Sequence, residues 1–312
     1  MLFNLSLKKN KKGFTLIEIL VGVAVFAVVA MAMYQVYASL FTLTSLNQYK
    51  IIALNLANEQ FEIVRNLTYS DVGEIGGIPN GKIPHIQNLT RGGVPFVVTM
   101  TIRNVDLPFD GTIGSTTNND LSPADNKLVE VQVDCSGCKG YTPVNLTTTI
   151  APKNLETAST NGALFIKVFD GNGIAVSGAD VHIVNAKVTP NIVIDDITDT
   201  NGMLQIVDVP PGVEAYNITV SKTGYSTVKS YIPSVNNPNP TQPDATVVIQ
   251  QVTQVSFSID KLSTLSISSV SPTCSPRGNI DFNITGSKTI GEEINIATKS
   301  EIDQAIDKWY KK

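Results

Sequence analysis

Histidine, cysteine and charge are scarce in this sequence. The chain has two His and three Cys among 312 residues. A structural zinc site needs four ligands, and beside the one close pair of cysteines the sequence has no second pair. Only 16% of the residues are charged and the formal net charge is −4, so we expect no basic surface for nucleic acid. The sequence groups no nucleophile with a base and gathers no set of metal ligands. We therefore expect a protein that is not an enzyme and that binds no cofactor, no metal and no nucleic acid.

The cysteines leave two interpretations open. Cys135 and Cys138 form one Cys-x-x-Cys motif, and Cys274 stands alone. A thioredoxin-like motif lies where a strand meets a helix in a βαβ unit, but this motif follows an alternating strand and falls in a turn that contains glycine. We expect a disulfide at the tip of the turn or two free thiols, rather than a redox or metal site. A disulfide would agree with an exported protein.

Charge is absent altogether from Ile19 to Tyr49. The apolar stretch as far as Leu43 is long enough, at about 1.5 Å per residue, to cross a hydrocarbon core of ~30 Å. A cleaved secretory signal has a shorter apolar region and a small-residue cleavage site, so we expect this stretch to remain in the mature protein. The positive-inside rule places the N-terminus in the cytoplasm and the bulk of the chain outside. The basic residues that precede the stretch are Lys8, Lys9, Lys11 and Lys12.

Proline and glycine are absent from residues 23–72. We therefore predict one helix from about Phe14 to Leu67, roughly 80 Å long. Its first half is apolar all round and should protrude, whereas its second half is amphipathic and should pack on a globular body. The residues expected on the packed side, three or four apart, are Leu46, Tyr49, Ala53, Leu56, Gln60, Ile63 and Leu67.

The start of this helix carries a specific motif. The residues Gly13-Phe14-Thr15-Leu16-Ile17-Glu18 follow a Lys-rich leader and precede the apolar helix. This arrangement, over about residues 8–40, resembles the prepilin signature of type IV pilins and type II secretion pseudopilins. The resemblance implies that a prepilin peptidase cuts between Gly13 and Phe14 and methylates the new N-terminus at Phe14. It also implies that Glu18 is the glutamate through which subunits assemble.

Glu18 has a physical interpretation in that setting. A charge near the bilayer centre costs about 2.5–3.5 kcal/mol. A cation about 4 Å away returns roughly 4 kcal/mol at an effective dielectric of 20, and the amine freed by cleavage is such a cation. The resemblance implies that Glu18 of one subunit pairs with Phe14 of a neighbour, which would favour assembly in register. The alternative is that Glu18 lies near the headgroups and has no role.

The residues after the helix predict a small antiparallel sheet. Residues 71–90 are rich in glycine and proline and are expected to form a loop. Alternating segments at 94–105, 127–135 and 141–151 are expected to be strands that pack on the amphipathic half of the helix. The long loop between the first two strands contains Asp110, Asp120 and Asp125. These could ligate calcium, but they fit no EF-hand spacing, and we expect a solvated loop without a metal.

A second β domain is expected at residues 163–262. Asp199, Asn201 and Gly202 predict a tight turn, and Tyr216, Ile218 and Val220 alternate as one face of a strand. The stretch from Thr198 to Tyr225 resembles the carboxypeptidase regulatory-like domain, a seven-stranded sandwich of transthyretin type that is not itself catalytic. The residues that carry this resemblance are Thr198-Asp199, Asn201-Gly202, Val209-Pro210, Gly212, Tyr216 and Gly224-Tyr225.

The fold class expected from these segments is α+β. A long transmembrane and amphipathic helix with a small pilin-like antiparallel sheet is followed by an all-β sandwich of transthyretin or prealbumin type. The expected order is a prepilin leader (1–13), the helix (14–70), a pilin-like β domain (71–155), the sandwich (163–262), and an incomplete second repeat or disordered tail (263–312).

Two classes of function remain. The favoured one is a minor pilin or pseudopilin that leaves the inner membrane for a surface filament or periplasmic pseudopilus. Its partners would be prepilin peptidase, the inner membrane and other subunits that contact its N-terminal helix, and its sandwich would serve adhesion or cargo recognition. The alternative is a membrane-anchored module that binds carbohydrate or protein and does not polymerise. An exposed row of aromatic side chains would favour carbohydrate, and the candidates are Tyr225, Tyr231 and Phe257.

Overall fold

A single long helix begins the structure. The computed structural model describes residues 13, 15–152, 158–235, 237–264, 266 and 268–278. Helix α1 runs from Leu16 to Arg65 over 50 residues, which corresponds to about 75 Å. Thr15 caps its N-terminus, and the backbone N–H of Asn66 donates to carbonyls of its last turn. The expectation of one unbroken helix is confirmed.

The first sheet is antiparallel and has the order β1-β2-β3-β4. Its strands are β1 (Ile86–Arg91), β2 (Val94–Val105), β3 (Asn126–Cys135) and β4 (Val144–Ile150). The three predicted strands are confirmed, but β1 lies where a loop was expected. Because Gly92 and Gly93 both have positive φ (59° and 77°), they form the tight two-residue connection that such hairpins prefer.

Helix α1 packs on this sheet with its C-terminal half only. The buried helix residues are Ala53, Leu56, Ala57, Gln60, Phe61 and Val64. They meet alternate side chains of the two central strands: Phe96, Val98, Met100, Ile102, Val129, Val131 and Val133. The expected stripe was wrong at Ile63, which is 48% exposed. The buried stripe passes through Phe61 and Val64 instead. It is therefore rotated slightly about the helix axis relative to the predicted stripe.

The second unit is a β-sandwich of eight strands. One sheet has the order β10-β9-β6-β7 with β11 also paired to β9, and the other has the order β12-β5-β8. All pairs are antiparallel except β12 with β5. The strands are β5 (Gly162–Phe169), β6 (Asp180–Asn185), β7 (Ile192–Ile197), β8 (Met203–Val209), β9 (Gly212–Ser221), β10 (Val228–Lys229), β11 (Ala245–Val247) and β12 (Val252–Ser258).

The sandwich core lies between its two sheets. Tyr216, Ile218 and Val220 of β9 are fully buried, as their alternation predicts, and the Tyr216 hydroxyl donates to the Pro210 carbonyl at 2.5 Å. The predicted turn is present, because Gly202 has φ +69° and its N–H donates to the Asp199 carbonyl at 3.0 Å. Eight strands stand where seven were expected, so the transthyretin-type assignment stays a prediction.

Three predicted segments lie wholly or mostly outside the described residues. These are the expected leader (1–13) except for Gly13, residues 153–157 in the region between the two units, and most of the expected tail at 263–312. The domain boundaries therefore stay predictions.

The two units contact each other through segments that extend from the first sheet. The Gly76 carbonyl accepts the Val193 N–H at 2.8 Å, and Ile78 is part of the sandwich core. On β2, Arg103 Nε lies 2.7 Å from Asp196 Oδ2 on β7. The Asp196 side chain is 5% exposed, and burial raises its pKa although the Arg103 guanidinium lowers it. The pair therefore places a desolvated charge at the junction.

Replacing Arg103 by Met should destabilise the chain by roughly 3 kcal/mol at pH 7, because it leaves the buried Asp196 carboxylate without its cation. That carboxylate then has a folded pKa above its unfolded one. The loss of stability is therefore full at pH values above the raised pKa of Asp196. It shrinks as the pH falls through that pKa, because the carboxylate becomes protonated. Urea unfolding at pH 7 and pH 5, followed by far-UV circular dichroism, measures both effects.

The matched control is Arg91→Met. Arg91 pairs with Glu59 at 3.0 Å, but both side chains are nearly half exposed, so the loss should be about 0–1 kcal/mol. Equal losses in the two variants, or a loss at Arg103 that does not change with pH, would contradict the assignment.

Candidate functional site

The first turn of α1 forms a reciprocal pair of hydrogen bonds. The Thr15 hydroxyl accepts the Glu18 N–H at 3.3 Å. In return, Glu18 Oε2 accepts the Thr15 N–H at 2.9 Å and the Thr15 hydroxyl at 3.0 Å. This is a capping box, which satisfies backbone donors that have no partner within the helix. Within this chain, Glu18 is therefore held at the start of the helix rather than left unpartnered.

The expected processing site lies just before the cap. Gly13 is exposed, lies outside the helix, and has no atom within 4 Å of where a Cβ would stand. Phe14 lies outside the described residues. The Gly13 side of the bond is therefore open to an approaching enzyme. Thr15 was not among the predicted site residues, although its spacing to Glu18 is the Thr-x-x-Glu signal of a capping box.

The N-terminal half of α1 is exposed all round. The helix is long and apolar enough to cross a membrane, and none of its most apolar segment is buried in the chain. Its serine and threonine hydroxyl groups do not disturb this surface, because each donates to the carbonyl four residues earlier at 2.9–3.0 Å. The residues concerned are Ser39, Thr42, Thr44 and Ser45. Side chains and backbone are thus suited to a membrane or to contact with other apolar helices.

The three aspartates of the loop between β2 and β3 lie together. Asp110, Asp120 and Asp125 each place a carboxylate oxygen within 4.8 Å of the others. The expectation of a solvated loop was wrong for two of them, because Asp120 is 8% exposed and Asp125 is 6% exposed. Their spacing of ten and five residues matches no common motif, so only the folded loop reveals the cluster. Oxygen atoms in this arrangement are suited to a hard divalent cation.

A fourth carboxylate extends the cluster. Burial raises the pKa of Asp106, and the negative charges of Asp120, Asp125 and Asp110 raise it further. Asp106 Oδ2 accepts the Ile113 N–H at 2.9 Å. The loop therefore concentrates negative charge at one partly buried point.

Cys135 and Cys138 are joined by a disulfide in this structure. The bond lies in the turn after β3, where Cys135 is 6% exposed and belongs to the core between the helix and the sheet. The Tyr141 hydroxyl donates to the Val133 carbonyl at 3.1 Å and fastens the same turn. Cys274 is a free, exposed thiol.

The aromatic candidates for carbohydrate binding do not form an exposed row. Phe257 is 2% exposed. Tyr225 packs against the sandwich core, and Lys222 Nζ lies 5.5 Å from its ring centroid. Lys229 Nζ lies 4.8 Å from the centroid of Tyr231. Phe257 is thus buried and a lysine lies over one face of each tyrosine ring, so the three side chains do not form one exposed row.

A cavity of about 480 Å³ lies between the two units. Its most buried charged group, Lys127, donates to the carbonyls of Tyr69 and Val72 at 2.7 and 2.6 Å. On the opposite side, Asp208 Oδ1 accepts hydrogen bonds from Ser159 at 2.5 Å and Asn161 at 3.0 Å. These polar groups hold the protein's own segments in place and do not converge on the cavity.

Each of the two histidines lies beside a carboxylate. His182 Nδ1 is 2.6 Å from Asp195 Oδ1, across β6 and β7. His85 Nδ1 is 2.8 Å from Glu74 Oε2, and this hydrogen bond raises the pKa of His85 against the opposing effect of burial. Neither pair lies beside a nucleophile that the sequence singled out.

Comparison with known proteins identifies the N-terminal motif. Residues 8–34 match the family described as "Prokaryotic N-terminal methylation motif". No curated protein matches the chain. The chain thus carries the N-terminal methylation motif of prokaryotic pilins on a helix that is long enough to anchor it in a membrane.

Several solved structures share a distant likeness. The Bacillus anthracis TIE protein is 12% identical with a TM-score of 0.25, over 58% of this chain and 40% of that one. BcpA, the major pilin subunit of Bacillus cereus, is 12% identical with a TM-score of 0.20, over 44% and 38%. The group B streptococcus pilus 2b backbone protein is 14% identical with a TM-score of 0.23, over 48% and 53%. This chain thus spans about half or less of the length of each.

Replacing Thr15 by Ala should loosen the first turn of α1. The loss of an N-cap costs about 1 kcal/mol, which corresponds to about five-fold faster opening. Amide hydrogen exchange of the full chain in detergent micelles should therefore speed up by that factor at Glu18, whose N–H donates to Thr15.

Thr15→Ser is the matched control, because serine keeps the accepting oxygen and should leave the exchange rate unchanged. Equal exchange rates at Glu18 in the Ala and Ser variants would show that the capping box does not hold the turn.

Proposed function

We propose that this chain is a minor pilin or pseudopilin, a low-copy structural subunit of a type IV pilus or a type II secretion-like filament. The observation that carries the proposal is the methylation motif at residues 8–34, placed at the start of a membrane-length helix whose apolar half is exposed. A chain with such a surface requires lipid or other helices around it. Lipid would surround the apolar half of α1 while the chain is in the membrane. The helices of other subunits would surround it in the filament.

Processing would begin at Gly13. Prepilin peptidase would cut the bond between Gly13 and Phe14 and methylate the Phe14 amine, which keeps its positive charge. Because the cap starts at Thr15, cleavage would remove the leader without breaking the helix. The new cation would then lie only four residues before Glu18.

Glu18 would exchange partners during assembly. In the single chain its carboxylate is bound by Thr15, which lowers the cost of inserting it. In a filament it would gain the amine of a neighbouring Phe14, and a pair about 4 Å apart is worth roughly 4 kcal/mol at an effective dielectric of 20. Subunits aligned so that the two charges meet would therefore be favoured over other registers.

The β-sandwich would be displayed outward for adhesion or cargo recognition. It is attached to the first unit through the Arg103–Asp196 pair and the Gly76–Val193 hydrogen bond, away from the exposed half of α1. A subunit that carries such an extra unit would not pack as densely as a main filament subunit, which supports a low-copy position. We propose no catalytic role.

One observation favours a second candidate function. Thr15 already donates hydrogen bonds to the Glu18 carboxylate. The carboxylate therefore has partners within its own chain and does not require a neighbouring subunit. A membrane-anchored binding module that never polymerises is consistent with this geometry. The burial of Phe257 breaks the exposed aromatic row that would favour carbohydrate as its ligand.

Co-expression with a prepilin peptidase should yield a mature chain that begins at a methylated Phe14. The intact mass and N-terminal sequence of the membrane-extracted protein measure this directly. Gly13→Val should block cleavage, because the peptidase requires the small residue before the bond, whereas Gly22→Ala within the helix should be cleaved normally. A chain that still begins at Met1 in the presence of an active peptidase would overturn the proposal.

Glu18→Gln should reduce incorporation into sheared filaments by at least about ten-fold while membrane insertion is retained. Glutamine serves equally at this position of a capping box, so the variant removes the charge and keeps the helix start. Incorporation is measured by quantitative blotting of the filament and membrane fractions.

Glu59→Gln is the control, since it also removes one carboxylate from α1 but lies on the part that packs beside the sheet, paired with Arg91. If Glu18→Gln enters filaments as well as the unmodified chain does, Glu18 does not direct assembly. If the processed, unmodified chain enters no filament at all, the second candidate function is correct.

A further inference from the structure

The loop at 73–83 belongs to the first unit but reaches into the second. Its residue Ile78 is 8% exposed and is part of the sandwich core. The Gly76 carbonyl of the same loop accepts the Val193 N–H of β7 at 2.8 Å. The loop therefore docks the sandwich through one apolar side chain and one backbone hydrogen bond.

The carboxylate of Glu74 fastens this loop to the first sheet. Glu74 is 8% exposed, and its Oε1 accepts the Ile102 N–H of β2 at 2.7 Å. Its Oε2 lies 2.8 Å from Nδ1 of His85, whose side chain is 25% exposed. The carboxylate thus has one neutral donor and one partner that is positively charged only when protonated.

Further carboxylates lie around the same contact. Arg103 lies 2.7 Å from Asp196 and 3.3 Å from Glu130. Glu74, Arg103 and Asp196 line a gap of about 10 Å³ between the units, which has room for no more than about one water molecule. Three carboxylates therefore lie near one guanidinium in a place where water screens them poorly. Protonation of His85 adds a second cation to this group.

The proton on His85 responds to both units. The hydrogen bond with Glu74 raises the pKa of His85, burial lowers it, and the negative charges of Glu74 and of Asp195 on β7 raise it further, as does a hydrogen bond with the Met100 backbone. Asp195 lies 2.6 Å from His182 of β6, where both side chains are about half exposed. Because Asp195 belongs to the sandwich, its charge acts on His85 when the sandwich is docked.

Asp196 titrates in the same direction. Burial raises the pKa of Asp196, Arg103 and the Ile197 N–H lower it, and the negative charges of Glu74 and Glu130 raise it. A group whose pKa is raised in the folded protein stabilises it fully below the unfolded pKa, and this contribution is lost as the pH rises through the folded pKa. Both groups therefore favour the docked state at the lower pH.

We propose that the contact between the two units is proton-linked: protonation of His85 strengthens the hold of Glu74 on the loop at 73–83 and thereby docks the β-sandwich more firmly. As the pH rises from mildly acidic to alkaline, His85 loses its charge. Glu74 and Asp196 then face each other across a nearly dry gap, and the loop and the sandwich separate more often. The displayed unit is thus held firmly in mildly acidic surroundings and more loosely in alkaline ones.

Amide hydrogen exchange of the full chain in detergent micelles, measured by mass spectrometry at pH 6 and pH 9, tests this link. Protection is expressed relative to an unstructured peptide at the same pH, which removes the intrinsic effect of pH on exchange. Protection of the loop at 73–83 and of β7 should fall at least about three-fold from pH 6 to pH 9, because docking takes up protons. Protection of β3, in the core of the first sheet, should stay unchanged.

The unmodified chain alone can contradict the proposal. Equal protection of β7 at the two pH values, or higher protection at pH 9, would overturn it. An equal fall in β3 would overturn it as well, because the whole chain would then be losing stability rather than the contact between the units.

The two histidines provide a matched pair of variants. His85→Gln should show the low protection of pH 9 at both pH values, because glutamine cannot take up the proton. His182→Gln removes the other histidine, which also lies beside a carboxylate but is half exposed, and should keep the full pH dependence. Dependence that persists in His85→Gln, or that is lost equally in both variants, would exclude His85 as the group that titrates.

Ile78→Ala tests the link from the other side, because it weakens docking without changing a charge. If protonation favours docking, weaker docking must lower the proton affinity of His85 by the same factor. Titration of the His85 ring by NMR should therefore show a midpoint closer to that of an ordinary histidine.

Ile75→Ala is the control for this variant, since it removes a 65% exposed side chain from the same loop and should leave the midpoint unchanged. A midpoint in Ile78→Ala equal to that of the unmodified chain, although β7 has lost protection, would overturn the link. These measurements need no peptidase and no filament, so their outcome is independent of the proposed function.

Discussion

The packing of one half of α1 on the first sheet determines the position of the rest of the chain. The helix has no break, so once Ala53, Leu56 and Val64 are buried against the sheet, its other half must project away from the globular units. That half is apolar all round and requires a non-aqueous environment. One continuous helix therefore joins a segment suited to lipid or a helical bundle to a folded body in water, and it fixes the distance between them.

Elements with a strong local pattern could be predicted from the sequence, and elements fixed by the partner strand could not. Strand β2 alternates over twelve residues, and its bounds are as expected. Strand β1 (Ile86–Arg91) is an edge strand with mostly polar side chains, so its hydrophobic signal is weak, and its hairpin turn was the better clue. Strand β7 has a weak local signal for a related reason, because Asp195 and Asp196 interrupt its apolar pattern. Asp196 lies there because it faces Arg103 of the other unit, which no local pattern can reveal.

The candidate site residues also differ in whether the local sequence or only the fold reveals them. Gly13, Phe14 and Glu18 are neighbours in sequence, so their spacing carries the signal without knowledge of the fold. The aspartates at 110, 120 and 125 come together only after the loop closes. Gly111 contributes to this closure with φ +137°, because a Cβ there would stand 2.6 Å from the Asn118 carbonyl oxygen, and few side chains tolerate that conformation. Burial of Asp120 and Asp125 follows from the closed loop rather than from their own chemistry.

Strand β2 contacts both the core beside the helix and the sandwich. Alternate side chains of β2 face opposite sides, so Ile102 lies in the core beside α1 while Arg103 pairs with Asp196 of the sandwich. Glu74 reinforces the same point, because its Oε1 accepts the Ile102 N–H at 2.7 Å and its Oε2 binds His85. Strand β2 thus takes part both in the core beside the helix and in the contact with the sandwich. Side chains of the first sheet therefore help to set the orientation of the sandwich, together with the Gly76 carbonyl that accepts the Val193 N–H.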